Sequence, residues 1–194
     1  MARPVKFKVP LERAALELFV EQGVDGTSIR DISQRAGVTE GALYRHHPSK
    51  DALVRALFLQ HLAGFAEAMR AAVEHEATAA GKLRAMIRRF LEFHDADPAV
   101  FEFLLITRHR VLDSVRQDTE SPVDTLDRVM AEGMERGEWP RQDVTMASEL
   151  CFGLVTQMAV AARFGRLARP LAGMSEDLFA ACVAVLHRGS ARPA

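Results

Sequence analysis

Between Thr39 and Lys50 the chain gathers side chains suited to reversible hydrogen bonding. They are Thr39, Glu40, the protein's only tyrosine Tyr44, Arg45, His46 and Lys50, with Gly41 and Ala42 among them. Threonine, tyrosine, histidine and lysine donate to phosphate oxygens, and small residues such as Gly41 and Ala42 let a backbone come close to a large partner. This is the chemistry of nucleic-acid recognition, in which no covalent bond is made or broken. Residues that could break bonds are present but wrongly spaced. Glu92, His94, Asp95 and Asp97 crowd together like metal ligands, yet on one helix they point to different faces. His75 has no second histidine at the spacing of a zinc protease. A glycine-rich phosphate loop and a G-x-S-x-G turn are both absent. The expectation is a protein that is not an enzyme, with no cofactor and no metal.

Those side chains need a scaffold, and hydrophobic spacing supplies it. Leu11, Ala14, Ala15, Leu18 and Phe19 recur at i, i+3, i+4, i+7 and i+8, one stripe of a helix opened by Pro10 and closed by Gly23. Gly26-Thr27-Ser28 supplies a turn and a cap for a second, short helix whose buried face is Ile29, Ile32 and Ala36. Gly37 interrupts it, and Thr39 caps a third helix running to about His46. Three short helices with a glycine turn between the last two predict a helix-turn-helix. Ile29, Ile32, Ala36, Val38 and Leu43 would pack the second helix across the third. Thr39, Glu40, Gly41, Ala42, Tyr44, Arg45 and His46 would then face outward, toward a major groove.

From Ser49 the helices lengthen. One runs to about Glu76, one spans about 80–95, and two more open at Asp97-Pro98 and Ser121-Pro122. The last pair covers Asp143 to about Phe164 and Ser175 to His187. No segment alternates at period two long enough for a strand. The expected fold class is all-α. The final two helices are apolar around most of their circumference, so they need burial on two sides. Either they are central core helices, or one side packs on a second copy in a four-helix interface. The candidates for that interface are Leu150, Leu154, Met158, Phe179, Cys182, Val183 and Leu186.

With 194 residues, 48% hydrophobic and 26% charged, the chain has the balance of a soluble globular protein and is excluded from the disordered tail proteins. Its net charge of −1 hides a weak asymmetry. Residues 1–60 hold nine Lys and Arg against seven Asp and Glu, which permits a small basic face. The longest mainly apolar run, Leu150 to Ala162, is short for a membrane span and holds Gln157, and Met1 to Pro10 lacks the apolar stretch of a secretion signal. Cys151 and Cys182 make neither a disulfide framework nor a C-x-x-C site. A reducing cytoplasm is the simplest home, with no membrane as a partner.

The residues Leu11-x-x-Ala14-Ala15-x-x-Leu18-Phe19-x-x-x-Gly23, Thr27-Ser28-Ile29-x-x-Ile32, Ala36-Gly37-Val38-Thr39-x-Gly41-x-Leu43-Tyr44-x-His46 and Lys50-x-x-Leu53 resemble a known domain. It is the DNA-binding domain of tetracycline-repressor (TetR) family regulators, matched nearly without gaps over about residues 10–55. The resemblance implies a flexible N-terminal arm over 1–9, a helix-turn-helix DNA-binding domain over 10–55, and a long-helix effector-binding and dimerisation domain over 56–194. It implies that Thr27 and Ser28 are phosphate donors at a helix N-terminus, and that Arg30 reaches a base edge or a phosphate. It places Thr39, Glu40, Gly41, Ala42 and Arg45 toward the groove and Tyr44, His46 and Lys50 on the DNA backbone. Glu40 is the oddity, since a carboxylate near DNA must accept from a cytosine amino group, orient an arginine, or serve only the helix N-terminus. Three positions depart from the family: Val24 where an aromatic is usual, Ser33 for alanine, and His47 for the phenylalanine between the third and fourth helices.

The family's second domain binds a small effector. Phe90, Phe93, Phe101, Leu105 and Met130 are candidates to line an apolar cavity, with His94, Arg108, His109 and Gln157 as polar contacts. The implied function is a homodimeric transcriptional regulator of double-stranded DNA, a repressor released from a palindromic operator by a small, largely apolar effector. Two copies would present their third helices about 34 Å apart, one helical turn, or at a related spacing. The competing reading is a helical ligand-binding or protein-interaction module that has lost DNA readout. His47 carries a prediction, because a neutral imidazole can fill an apolar gap whereas a protonated one is costly there. Stability of the N-terminal domain, or its DNA affinity, is expected to fall between about pH 7 and about pH 5. His47→Phe should remove part of that fall in thermal melts and gel shifts at both pH values.

Overall fold

The computed structural model describes residues 8–112, 121–167 and 170–188. Its elements are α1 (Lys8–Gly26), α2 (Ile29–Ala36), α3 (Glu40–Tyr44), α4 (Lys50–Val73), α5 (Ala79–Ala96), α6 (Pro98–Leu112), α7 (Pro122–Glu135), α8 (Val144–Arg163) and α9 (Ser175–Arg188). A short 3-10 turn, Ala172–Met174, precedes α9. No strand occurs among the described residues, and the fold is all-α. Helix α1 already begins at Lys8, so the expected arm over 1–9 is helical at its last two positions; residues 1–7 lie outside the described residues.

The chain divides into two compact units. The first takes the residues up to Ala63 together with α6, and the second takes Gly64–Asp97 and the chain from α7 onward. That differs from the single boundary near residue 55 expected from the sequence. The reason is packing at long sequence separation: α6 lies along α1, where the Phe19 and Phe103 rings stack at 5.9 Å between centroids. Burial of such rings is a large apolar gain that no local pattern announces.

In the first unit, Leu11, Ala14, Ala15, Leu18 and Phe19 form the buried stripe of α1. The helix breaks at Gly23, whose φ of 78° suits glycine. Ser28 and Asp31 then form a reciprocal cap on α2. The Asp31 amide donates to Ser28 Oγ at 3.1 Å, and the Ser28 amide donates to Asp31 Oδ2 at 2.9 Å. Gly37 ends α2 in the left-handed conformation at φ 66°, the tight turn that brings α3 back across it.

In the second unit α5 packs against α7, α8 and α9. Two acidic side chains cap helical turns from far along the chain. Glu138 accepts from the Ala79 and Ala80 amides at 2.9 and 2.8 Å, which satisfies donors at the N-terminus of α5. Asp95 does the same for the Leu171 and Ala172 amides at 3.0 and 2.8 Å, and its Oδ1 meets His94 Nδ1 at 3.0 Å. Burial works to raise the Asp95 carboxyl, but the two amides and His94 outweigh it and hold the group below the ordinary carboxylate range. A carboxyl depressed by folding contributes stability above its unfolded-state value and loses it as pH falls through the folded one. Asp95→Asn is therefore expected to cost about 1.5–3 kcal/mol at neutral pH, the worth of hydrogen bonds to a charged group. The gap from the parent should close from about pH 4 downward, as read by urea unfolding over that range.

Candidate nucleic-acid interface

Helix α3 is held from one side only. Leu43 is fully buried, while Thr39, Glu40, Gly41, Tyr44, Arg45 and His46 are exposed and Ala42 is half-buried. Thr39 caps the helix, accepting from the Ala42 amide at 3.2 Å. Tyr44 keeps 49% of its surface open to solvent, unusual for the one tyrosine of a packed domain. Arg45 lies back along the helix, its Nε donating to the Gly41 carbonyl at 3.4 Å. The arrangement is an exposed rod of donors, with Gly41 leaving the helix surface shallow and nothing within 4 Å of where its Cβ would stand. Ser28 and Arg30 are exposed at the start of α2. His47 is buried, 7% exposed, as the expectation for that position requires.

Two residues expected on the DNA have other partners. Thr27 is 1% exposed, and its hydroxyl donates to the Gly23 carbonyl at 2.7 Å, with the Leu18 carbonyl also at 3.3 Å. It ties the end of α1 and is not available to a phosphate. Lys50 is half-buried, and its ammonium donates to the Val24 and Thr27 carbonyls at 2.8 and 2.9 Å. Both side chains are taken up by carbonyls at the end of α1 and in the turn that follows it.

The second unit holds an apolar cavity of about 40 Å³. Phe65 and Met69 of α4, Leu83, Met86, Ile87 and Phe90 of α5, Pro122 and Leu126 of α7, and Cys151, Phe152 and Val155 of α8 line it. Of the nine expected effector residues Phe90 alone is in this lining. His94 is buried against Asp95, and Met130 is fully buried with its carbonyl taking the Trp139 indole N–H at 2.9 Å. Phe93 stacks near Phe65 at 4.6 Å between centroids, and Gln157 is exposed. Phe101, Leu105, Arg108 and His109 are on α6, in the first unit. Among the missed lining residues, Leu83, Met86 and Ile87 follow the apolar stripe of α5, a helical-period signal present in the sequence but not specific to a cavity.

Helix α8 is, by length and composition, long and apolar enough to cross a membrane, with a mean hydropathy of 1.4; the shorter run read from the sequence is not. Ala147, Cys151, Val155 and Ala159 bury one side of it in the second unit. Leu150 and Met146 stay 46% and 63% exposed, and Leu154, Met158 and Val183 are half-buried. Cys182 and Leu186 are fully buried in the unit's own core, which corrects their placement at an interface. Phe179, half-buried, lies under the Arg84 guanidinium at 4.2 Å.

Residues 12–57 match the family model described as bacterial regulatory proteins, tetR family. The match spans about a quarter of the chain, and over it the chain carries that family's DNA-binding domain. It is similar to the fatty acid metabolism regulator protein of Bacillus subtilis (strain 168), 24% identical over 152 residues that cover 74% of this chain and 77% of the relative. It is also similar to the HTH-type transcriptional activator FasR of Mycolicibacterium smegmatis, 30% identical over 58% of this chain and 53% of that one. Among solved structures, the transcriptional regulator FadR from Bacillus subtilis in complex with stearoyl-CoA superposes with a TM-score of 0.75 at 23% identity, covering 92% of this chain and 99% of the other, a likeness of fold.

The exposed α3 thus lies inside the segment that matches the family model, and within that segment Thr27 serves the scaffold. Thr27→Val keeps the shape and removes the hydroxyl. It should lower the stability of the first unit by about 1–2 kcal/mol, the cost of leaving a buried acceptor unmet, in chemical unfolding. It should leave the salt dependence of DNA binding as it was.

Proposed function

We propose that the chain acts as a homodimeric, sequence-specific regulator that sits on a roughly palindromic operator as a repressor and is released by a fatty-acyl effector. The observation that carries this reading is the rod from Thr39 to His46, anchored by the buried Leu43, with Ala42 half-buried and the other side chains exposed. In this reading Thr39, Gly41, Ala42 and Arg45 meet base edges, Glu40 a cytosine amino group or the helix end, and Ser28, Arg30, Tyr44 and His46 the backbone. The partly open sides of α8, with Leu150, Leu154 and Met158, and of α9, with Val183, take the same surfaces of a second copy. The working compartment is the cytoplasm, where the operator is, and the protein binds rather than catalyses.

The effector class rests on the cavity lining, which is apolar throughout, and on relatives named for fatty acid metabolism, one of them held with stearoyl-CoA. At about 40 Å³ the cavity has room for a few waters at most, so an acyl chain enters only where Phe65, Phe90 and Phe152 part. A ligand that needs the parted state stabilises it, and its differential affinity for the two states sets how far DNA binding is lost. The repressor sense is the family's usual one, and the FasR relative, named an activator, marks the other sense as the alternative.

The test begins by selecting duplexes from a random library with the purified chain. The expected result is an inverted-repeat site whose affinity falls steeply with salt, and a dimer in analytical ultracentrifugation. Stearoyl-CoA should then release the duplex, whereas coenzyme A alone should not. Recovery of no duplex would favour the ligand-binding module without DNA readout, and tighter binding with stearoyl-CoA would favour an activator.

A further inference from the structure

Two cysteines that stand 31 residues apart in the chain are neighbours in the second unit. Cys151 of α8 and Cys182 of α9 are buried, 2% and 0% exposed, and the Cys182 thiol donates to the Cys151 carbonyl at 4.0 Å. The two thiols also meet each other. The Cys182 sulfur accepts from Cys151, and this contact together with burial pushes the Cys151 thiol up, while the same contact lowers Cys182. Of the pair, Cys151 lines the apolar cavity, beside Phe152 and one turn before Val155.

We propose that Cys151 and Cys182 are a redox pair: a peroxide-class oxidant entering the cavity converts them to a disulfide, which ties α8 to α9 and keeps the cavity shut. Hydrogen peroxide is neutral and close to water in size, and a cavity of about 40 Å³ admits it without parting the rings. The Cys151 sulfur attacks one peroxide oxygen, the O–O bond breaks, and the departing oxygen leaves as water with the Cys151 proton. The Cys182 sulfur then attacks the sulfur of that sulfenic acid, the S–O bond breaks, and a second water carries off the Cys182 proton. Each sulfur loses one electron, and the peroxide is reduced to two waters. Two neutral thiols give a neutral disulfide, so no charge is buried in either state. Because the Cys151 thiol is held up, the first step is slow, which suits a response to sustained oxidation. In a reducing compartment such a bond is transient and regulatory. The bond itself stands on the sulfur geometry. Its effect on the cavity rests on the effector reading, through Phe152 and Val155, which α8 carries beside Cys151.

The test uses the full chain, reduced, freed of reductant and treated with hydrogen peroxide. Peptide mapping should find Cys151 joined to Cys182 within one chain, and dithiothreitol should return both thiols. The rate should be the same in urea well below the unfolding transition, since the folded chain already holds the pair together. Calorimetry should show stearoyl-CoA binding the oxidised chain on the order of tenfold more weakly than the reduced one. In Cys182→Ala the reaction should stop at a Cys151 sulfenic acid, trapped by dimedone. Thiols that survive peroxide, a rate that climbs with urea, a bond only between chains, or no trapped sulfenic acid in folded Cys182→Ala each overturn the proposal. So does equal affinity for stearoyl-CoA in the two states. If Cys182→Ala does not fold, the map and rates of the wild type decide alone. If neither state binds stearoyl-CoA, the effector reading fails, and the map and rates still decide whether the two cysteines are a pair.

Discussion

Helix α3 has five residues, far below the length at which a helix persists in water by itself, so its presentation depends on burying Leu43 while its neighbours stay wet. Everything around it answers that constraint. Gly37 makes the turn tight enough to bring Leu43 within reach of Ile32, which is also fully buried. Thr39 satisfies an amide that a short helix would otherwise leave open. A second large apolar residue on α3 would hold it more firmly, but would cover the face that has to enter a groove. One anchor and one cap are what that compromise permits.

The parts of this fold that were legible in the sequence are those decided within a few residues. Ser28 with Asp31, Ser121 with Asp124, Thr39 and Asp143 all cap helices from immediately before them, and helix starts followed directly. The exposed face of α3 was legible for the same reason, since only Leu43 breaks its polar surface. What was not legible depends on groups distant in sequence. Lys50 reads as a DNA-facing cation until its distance to Val24 and Thr27 is known. Thr27 reads as a phosphate donor until its hydroxyl is found facing Gly23. His94 resembles a polar handle in a cavity, but Asp95 takes it while also capping the turn at Leu171. The cavity lining needed the mutual rotation of four helices, which periodicity along each one does not supply.

Helix α8 illustrates why an apolar helix can be ambiguous. Its composition alone suits a membrane span, a core helix or an interface. Of its buried residues, Ala147, Cys151, Val155 and Ala159 advance by four at each step, and Ser148, Ala161 and Ala162 flank them, a closed side of mostly small side chains that lets neighbours pack close. Leu150, Leu154 and Met158 follow the same spacing three residues later, on another side that the unit leaves partly uncovered. With one side closed and another open, α8 keeps a surface for the second copy in the proposed dimer. Cys182 and Leu186 belong to the closed side of α9, which leaves the open surface narrower than composition suggests.

On the side proposed to meet DNA, fewer cations are open than a count of basic residues suggests, because several are already committed. Arg35 forms a paired hydrogen bond with Glu21, Arg13 reaches Glu17, Arg110 spans Asp25 and Asp51, and Lys50 serves carbonyls. On α2 and at the end of α3, Arg30 and Arg45 are exposed cations, beside the neutral donors Ser28 and Tyr44. Neutral donors position a protein on phosphates through hydrogen bonds but release no counterions of their own. Affinity in such an interface depends on the fit of α3 to base edges more than on charge. In the proposed reading, that makes the orientation of α3, set by the turn at Gly37 and the Leu43 anchor, the quantity on which recognition depends.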